Sequence, residues 1–334
     1  MRAAIYHLGV LKYLSEARLF DQITSISSVS GASLCIGAVF AVNDNKWPSG
    51  TAFRDEVLAR VKAMMLRHDI QKSAILRLPL SPHRWNNKVK IIADVLEKKW
   101  NIKGSLQDLP AYSDDPQSRC PYWEINCTTF ETGSRFRVRR DYMGDRHIGY
   151  TQNPALPISD MIAASAGFPV LIGPYTLKTK NMRWTKDKHG LDKQVAVNPH
   201  YTLWDGGVYD NLGLEALYKI GCCLDKEVDF LIVSDASAAI HFQKRKRNAS
   251  IKNMKRLLDI ATHQVYALRY REFHAAVTEK GKGAYLEIGE DVRNYPTTLR
   301  TPCEYDFDRI LLSGYNTAKR ELNIKREAQR LPTD

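Results

Sequence analysis

Two short motifs carry the residues best suited to chemistry, a serine at position 30 and an aspartate at position 205. Ser30 joins the β-branched segment 23–29 to the small, apolar segment 31–43. This order predicts a buried strand, a tight turn and a helix, with the serine hydroxyl lifted out of the sheet. Asp205 ends a second predicted strand, 201–204. Because a carboxylate beside a serine hydroxyl can accept its proton, the pair could support nucleophilic catalysis.

Small residues surround both motifs. Ser28, Gly31 and Ala32 would let the strand and the helix approach closely, and Gly206 and Gly207 would let the chain turn sharply after the aspartate. Each string also has a purely structural interpretation, since small residues ease any strand–helix junction and Asp-Gly is a common turn. Taken singly, the motifs therefore leave both interpretations open.

Strands and helices alternate along the chain, which predicts an α/β protein. We expect a single three-layer α/β/α domain over residues 1–320 with a mostly parallel central sheet, a helical insertion at about 50–100, and a polar tail at 321–334. The carboxyl ends of parallel strands would then bring Ser30 and Asp205 together. Predicted helices are 2–18, 53–68, 84–100, 157–166, 211–220 and 251–268, and predicted strands are 23–29, 122–130, 135–139, 201–204 and 228–234.

The helix predicted over 251–268 carries apolar residues at helical spacing. Such a stripe is expected to face the core. Its members are Ile251, Met254, Leu258, Ala261, Val265 and Leu268.

The formal net charge of +12 favours an anionic partner over a neutral one, although a solvated basic surface would give the same composition. Lys244, Arg245, Lys246 and Arg247 form the densest basic run. We expect this run to contact an anionic membrane, with a solvated loop or a nuclear-localisation signal as the alternatives. No nucleic-acid partner is expected. Nucleotide binding is excluded because neither a G-x-G-x-x-G nor a Walker A string occurs.

The six cysteines include no CxxC pair, which favours reduced thiols over a disulfide framework or a zinc site. The sequence shows no signal-peptide pattern, and its longest apolar run, 34–42, is too short to cross a bilayer. A cytoplasmic protein with peripheral membrane contact, needing no metal or organic cofactor, is the resulting expectation.

Several segments occur in the order found in one family. They are Leu8-Gly9-Val10-Leu11-Lys12-Tyr13-Leu14, Ser28-Val29-Ser30-Gly31, Leu106-Gln107-Asp108-Leu109, 126–133, 164–169 and Asp205-Gly206-Gly207 with Asn211. Together they make residues 3 to 235 resemble the patatin-like phospholipases, which are serine lipid acyl hydrolases with a Ser-Asp dyad. The resemblance implies Ser30 as nucleophile, Asp205 as general base, and a phospholipid or lysophospholipid as the fatty-acyl ester substrate.

The chain departs from the family pattern at four points. Ser28 and Ala32 stand where the G-x-S-x-G elbow has glycine, and Gly213 stands where proline is frequent. The family's glycine-rich oxyanion loop should end where Met1-Arg2 begins, so we expect this chain to be weakly active or inactive. A catalytically impaired, N-terminally truncated relative that binds lipid or a partner protein is therefore the alternative function.

A second alternative concerns the type of catalytic site. A Ser-Asp-His triad would need a histidine after Asp205, and His241, His263 and His274 follow it. His7, on the first predicted helix, is expected to be structural.

Overall fold

In the computed structural model, which describes residues 1–80, 87–167, 173–219, 223–225, 228–238 and 251–330, the chain begins with the buried helix α1 (Arg2–Glu16). This helix lies against the long helix α10 (Glu304–Arg330), and two glycines let their backbones touch. A Cβ at Gly9 would overlap a carbonyl oxygen of α10, and a Cβ at Gly314 would overlap one of α1. The predicted first helix is confirmed.

Strand β1 (Ser25–Val29) and helix α2 (Gly31–Val42) follow, as predicted. From Ser33 onward every residue of α2 is buried. A helix that is apolar on all sides must be enclosed by other elements, so α2 is fixed firmly behind the end of β1.

The described part of residues 50–100 supplies a group of helices, in agreement with the predicted helix 53–68 and with the predicted helix 84–100 from residue 88 onward; residues 84–86 lie outside the described ranges. The first, α3, runs continuously through Gly50–Ala52, the π-helical turn Phe53–Val57 and Leu58–Arg67. Helices α4 (Ile70–Arg77) and α5 (Lys88–Lys99) come next.

The elements that follow are β2 (Tyr122–Thr129), β3 (Arg135–Val138), β4 (Tyr142–Asp145), β5 (Gly149–Gln152), α6 (Ile158–Ser165), β6 (Tyr175–Lys178), β7 (Trp184–Thr185) and β8 (His200–Asp205). Within the described residues, the main sheet has eight strands in the order β6-β8-β2-β3-β4-β5-β7, with β1 beside β2. The α/β class is confirmed, but the expectation of a mostly parallel sheet is wrong, because among the described strands of this sheet only β1 and β2 pair in parallel. Short hairpin connections between β2, β3, β4 and β5 force antiparallel pairing.

After β8 the predicted helix 211–220 is wrong. Gly213 adopts a φ of +64°, a left-handed conformation that interrupts any helix, and the segment divides into short pieces. They are α7 (Gly207–Asp210), the 3₁₀ turn Leu214–Ala216, β9 (Tyr218–Lys219) and β10 (Cys223–Leu224).

A parallel pair, β11 (Leu231–Asp235) and β12 (Gly283–Glu287), forms a second small sheet. Between them lies α8 (Ile251–Phe273), which extends through the π-helical turn His274–Thr278, and the short helix α9 (Glu290–Arg293) follows β12. None of the helices in the described ranges combines the length and apolarity that a membrane span needs.

The predicted helix 251–268 is confirmed, but the expectation that its apolar stripe faces the core is wrong. Met254 is 68% exposed, Leu268 is 62% exposed and Val265 is 38% exposed. The opposite face of α8 packs inward instead, through the fully buried Phe273 and the partly buried Tyr270.

Candidate active site

Strands β1 and β8 run head to head along the same edge of β2, and their carboxyl ends meet there. Val29, the last residue of β1, lies opposite Asn126 in the parallel ladder. The last residue of β8, Asp205, lies opposite the next β2 residue, Cys127, in the antiparallel ladder. Ser30 follows β1 directly, so the register of these ladders brings it to Asp205.

The Ser30 side chain lies near enough to the Asp205 carboxylate for hydrogen bonding between them to lower the carboxyl pKa. The same carboxylate accepts the Gly207 N–H at 2.8 Å, and only 3% of Asp205 is exposed. Burial raises the pKa of Asp205 to about 6, against the two hydrogen bonds, which lower it. An aspartate with this pKa is ionised at neutral pH and can still take up a proton.

Ser30 adopts φ 52° and ψ −114°, a backbone conformation that residues other than glycine rarely occupy. Such strain costs about 1–3 kcal/mol and persists only where the surrounding structure imposes it. Its N–H donates to the Ser165 hydroxyl at 3.0 Å, which fixes the strained peptide. The predicted tight turn between strand and helix is confirmed.

A chain of buried hydroxyl groups holds this turn in place. The Trp123 indole N–H donates to Ser28 at 2.9 Å, and Ser28, Ser33 and Ser165 are linked in turn by O···O distances of 2.9 Å. Ser165 donates to the Asn126 carbonyl at 2.8 Å. Because an indole can only donate and a carbonyl can only accept, the direction of each hydrogen bond is determined. This row of hydrogen-bonded hydroxyl groups accounts for the serine at position 28, where a G-x-S-x-G elbow has glycine.

The segment that ends helix α6 ties the two strand ends together. In addition to the contact with Ser30, two backbone carbonyls of this segment accept hydrogen bonds at 3.3 Å. The Ser165 carbonyl accepts the Gly206 N–H, and the Gly167 carbonyl accepts the Asp205 N–H. Thr128 of β2 donates its hydroxyl to the Asp205 carbonyl at 2.9 Å. Sequence reasoning missed the positions of Ser165 and Thr128 beside the site; the run of small residues 164–167 was the available signal.

The glycines of both motifs serve close approach rather than unusual backbone angles. Gly206 has an ordinary φ of −61°, but a Cβ there would overlap the Asn126 carbonyl. A Cβ on Gly31 would come within 2.6 Å of the Ala3 side chain on α1. The close contact lets α2 begin at Gly31, so the N–H groups of Gly31 and Ala32 lie at the open end of that helix.

The described histidines considered for a triad each contact other side chains, and two of them, His7 and His263, also line the cavity of Ser30 and Asp205. His7 Nδ1 lies 2.7 Å from the Ser234 hydroxyl, and burial lowers the pKa of His7 to about 4. His263 lies against Tyr266, and His274 packs against several tyrosine and phenylalanine rings. His241 lies outside the described residues. A triad places imidazole between nucleophile and carboxylate, whereas here the Ser30 side chain is itself near enough to the Asp205 carboxylate to lower its pKa.

Ser30 and Asp205 open onto a cavity of about 1510 Å³. Aliphatic side chains from α1, α2, α4 and α5 form much of its wall, whereas α8 and the end of β11 add polar groups. The volume exceeds the range of about 300–1,000 Å³ usual for small-molecule sites. It therefore has room for a long apolar ligand. The basic run 244–247 lies outside the described residues.

Comparison with known proteins identifies the family. Residues 1–218, about two thirds of the chain, match the family model of the patatin-like phospholipases. The crystal structure of VipD from Legionella pneumophila aligns with a TM-score of 0.44 and 16% identity, covering 97% of this chain and 65% of that one. A search of curated proteins found no significant match. The family match alone exceeds half of the sequence, and the chain belongs to the patatin-like phospholipase family.

Proposed function

We propose that the chain is a lipid acyl hydrolase that cleaves fatty-acyl esters of phospholipids or lysophospholipids. The observation that carries the proposal is the meeting of Ser30, on its strained turn, with the buried Asp205 carboxylate at the adjoining ends of β1 and β8. Family membership supports the reaction class, and the cavity beside the pair has room for an acyl chain. The substrate class and the two catalytic roles belong to the proposal.

In the proposed mechanism, Asp205 takes the Ser30 proton as the hydroxyl oxygen attacks the ester carbonyl. The proton then passes to the departing alcohol oxygen, which leaves an acyl-serine. Asp205 next takes a proton from water, the resulting hydroxide attacks the acyl carbonyl, and the proton returns to Ser30 as the fatty acid leaves. We assign the Gly31 and Ala32 N–H groups as donors to the developing oxyanion, because the N-terminus of α2 leaves them outside the helix ladder.

The proposal extends to location. A cytoplasmic enzyme with peripheral membrane contact would meet phospholipid directly. The free thiols of Cys35, Cys120, Cys127 and Cys303 suit a reducing compartment.

The deciding experiment combines hydrolysis with covalent labelling of the whole chain. Release of fatty acid from lysophospholipid micelles and cleavage of a short-chain aryl ester are measured for the wild type, Ser30→Ala and Asp205→Asn. A fluorophosphonate probe followed by peptide mass spectrometry should modify Ser30 alone. Ser118→Ala, on an exposed loop, is the matched control. Hydrolysis that survives in Ser30→Ala, or a probe adduct on another serine, would refute the proposal, and wild-type binding of lipid without hydrolysis would favour a lipid-binding protein.

A further inference from the structure

Helix α8 presents a continuous apolar stripe to the outside of the protein. Its members recur every three or four residues over 15 positions, so they share one face along about 21 Å of helix, which is 14 steps of 1.5 Å. Exposed large apolar side chains at this spacing have no ordinary role in the fold of the described chain. This exposed stripe keeps four members of the predicted one and adds Leu257; it comprises Met254, Leu257, Ala261, Val265 and Leu268, and Met254 and Leu257 are each 68% exposed.

The stripe lies beside the cavity that holds Ser30 and Asp205. Leu258 and Thr262 of α8, which neighbour the stripe, line that cavity. Helix α4 also lines this cavity and also exposes large apolar side chains. Ile75 is a lining residue and is 57% exposed, so it lies at the cavity opening. The adjacent Leu76 is 65% exposed. Two helices of one cavity thus carry exposed apolar residues.

The sequence of α8 and of the run that precedes it is strongly basic. Residues 244–271 contain nine lysines and arginines and a single acidic residue, Asp259. Of these basic residues, Arg269 is paired with Asp210 and Glu215. A second copy of the chain would bring two such basic surfaces together, which is unfavourable, whereas an anionic bilayer would neutralise them.

We propose that the α8 stripe, together with Ile75 and Leu76 of α4, is a docking surface for an anionic lipid bilayer. The apolar side chains enter the boundary between headgroups and acyl chains, and the flanking basic residues bind the headgroups. Docking sets the cavity opening on the lipid surface, where an acyl chain can pass to Ser30. The inference rests on the proposed function for its purpose, but its physical test is independent of catalysis.

The test measures sedimentation with vesicles, in a Ser30→Ala background so that no lipid is consumed. Leu257→Ser/Leu268→Ser removes two exposed stripe residues, and Leu312→Ser/Ile324→Ser on α10 removes two residues of similar exposure elsewhere. Binding to equimolar phosphatidylglycerol–phosphatidylcholine vesicles should fall at least about tenfold for the stripe variant, since each leucine contributes apolar burial. The α10 variant should stay within about twofold of the parent, because its apolar residues lie outside the stripe.

Two further readouts separate the alternatives. With Ser30 present, the stripe variant should cleave a soluble short-chain ester at the wild-type rate and vesicle phospholipid more slowly. Equal vesicle binding by stripe and α10 variants, or no binding by the parent, would overturn the docking proposal. A stripe variant that changes from dimer to monomer by light scattering while vesicle binding is unchanged would assign the face to a second copy. Vesicle binding without any Ser30-dependent ester cleavage would instead contradict the proposed function alone.

Discussion

Replacing Asp205 with asparagine should stabilise the protein at high pH while removing the proposed base. Burial raises the pKa of this carboxyl from 3.8 to about 6 in the folded state. The folded protein therefore holds the proton more tightly than the unfolded chain does. The stability that this provides is present below pH 3.8 and is lost as pH rises through about 6.

The magnitude follows from the pKa shift. Each unit is worth about 1.4 kcal/mol, so an ionised Asp205 costs the folded state about 3 kcal/mol above pH 6. Asparagine has nearly the same shape and can still accept the Gly207 N–H, but it carries no charge. The gain in unfolding free energy of Asp205→Asn over the wild type should therefore be about 2 kcal/mol larger at pH 8 than at pH 4.

Urea unfolding of both proteins at pH 4, 6 and 8 measures this difference. Comparing the two proteins at each pH cancels the titration of all other groups and any fixed cost of the amide. Asp44→Asn, the same substitution at an exposed position, is the matched control. An Asp205→Asn difference that stays constant from pH 4 to 8, or that shrinks as pH rises, would refute the account of a buried, proton-retaining carboxyl.

The remaining predictions concern rate, positioning, packing and membrane contact. Since the proposed base must be ionised, kcat/KM for a soluble ester should rise about tenfold per pH unit below about pH 6 and level off above it; a flat profile would assign the base elsewhere. Ser165→Ala should lower kcat at least about tenfold without moving that profile, because it frees the peptide of the elbow serine; a moved pKa would contradict a positioning role. Gly9→Ala should lower the unfolding free energy by more than about 2 kcal/mol in urea, since the new methyl group overlaps the Leu311 carbonyl; an unchanged midpoint would show that the helices move apart freely. Changing the four basic residues of 244–247 to alanine should weaken sedimentation with anionic vesicles by about 1 kcal/mol per residue at most, with neutral vesicles as the control; unchanged binding would leave the run a solvated loop.

The local geometry at Ser30 could be predicted because it depends on near neighbours. A β-branched strand followed at once by a small, apolar helix leaves little choice but a tight turn, and the structure contains that turn. The approach of Asp205 was predicted for the wrong reason. The expected cause was a shared edge of parallel strands, whereas the observed cause is the head-to-head placement of β1 and β8 on β2. Pairing between segments about 80 to 180 residues apart leaves no periodic signal in either one.

Other errors arose where apolar pattern and environment diverge. Strands β4 and β5 are missing from the predicted strands. They contain glycine, aspartate and glutamine, which favour strands weakly, and pairing with neighbouring strands overrides that preference. A single left-handed glycine, Gly213, was enough to end the predicted helix 211–220. The stripe of α8 gives the pattern of a core helix and yet lies exposed. Periodicity identifies an apolar face, but it does not say whether protein or another partner covers it.

Two features of the site, the burial of Asp205 and the strained backbone of Ser30, each suit the proposed reaction and each lower the stability of the folded protein. Burial raises the pKa of Asp205, which suits its proposed role as a base near neutral pH, and the same burial makes its charge unfavourable in the folded state. Ser30 projects toward it because its backbone is strained, and that strain is a second cost. Ser165 contacts both strand ends. Its hydroxyl accepts the N–H of Ser30, and its carbonyl accepts the N–H of Gly206, the residue after Asp205. Because neither conformation is favourable alone, we expect the buried serine chain from Trp123 to Asn126 to hold the two side chains beside each other.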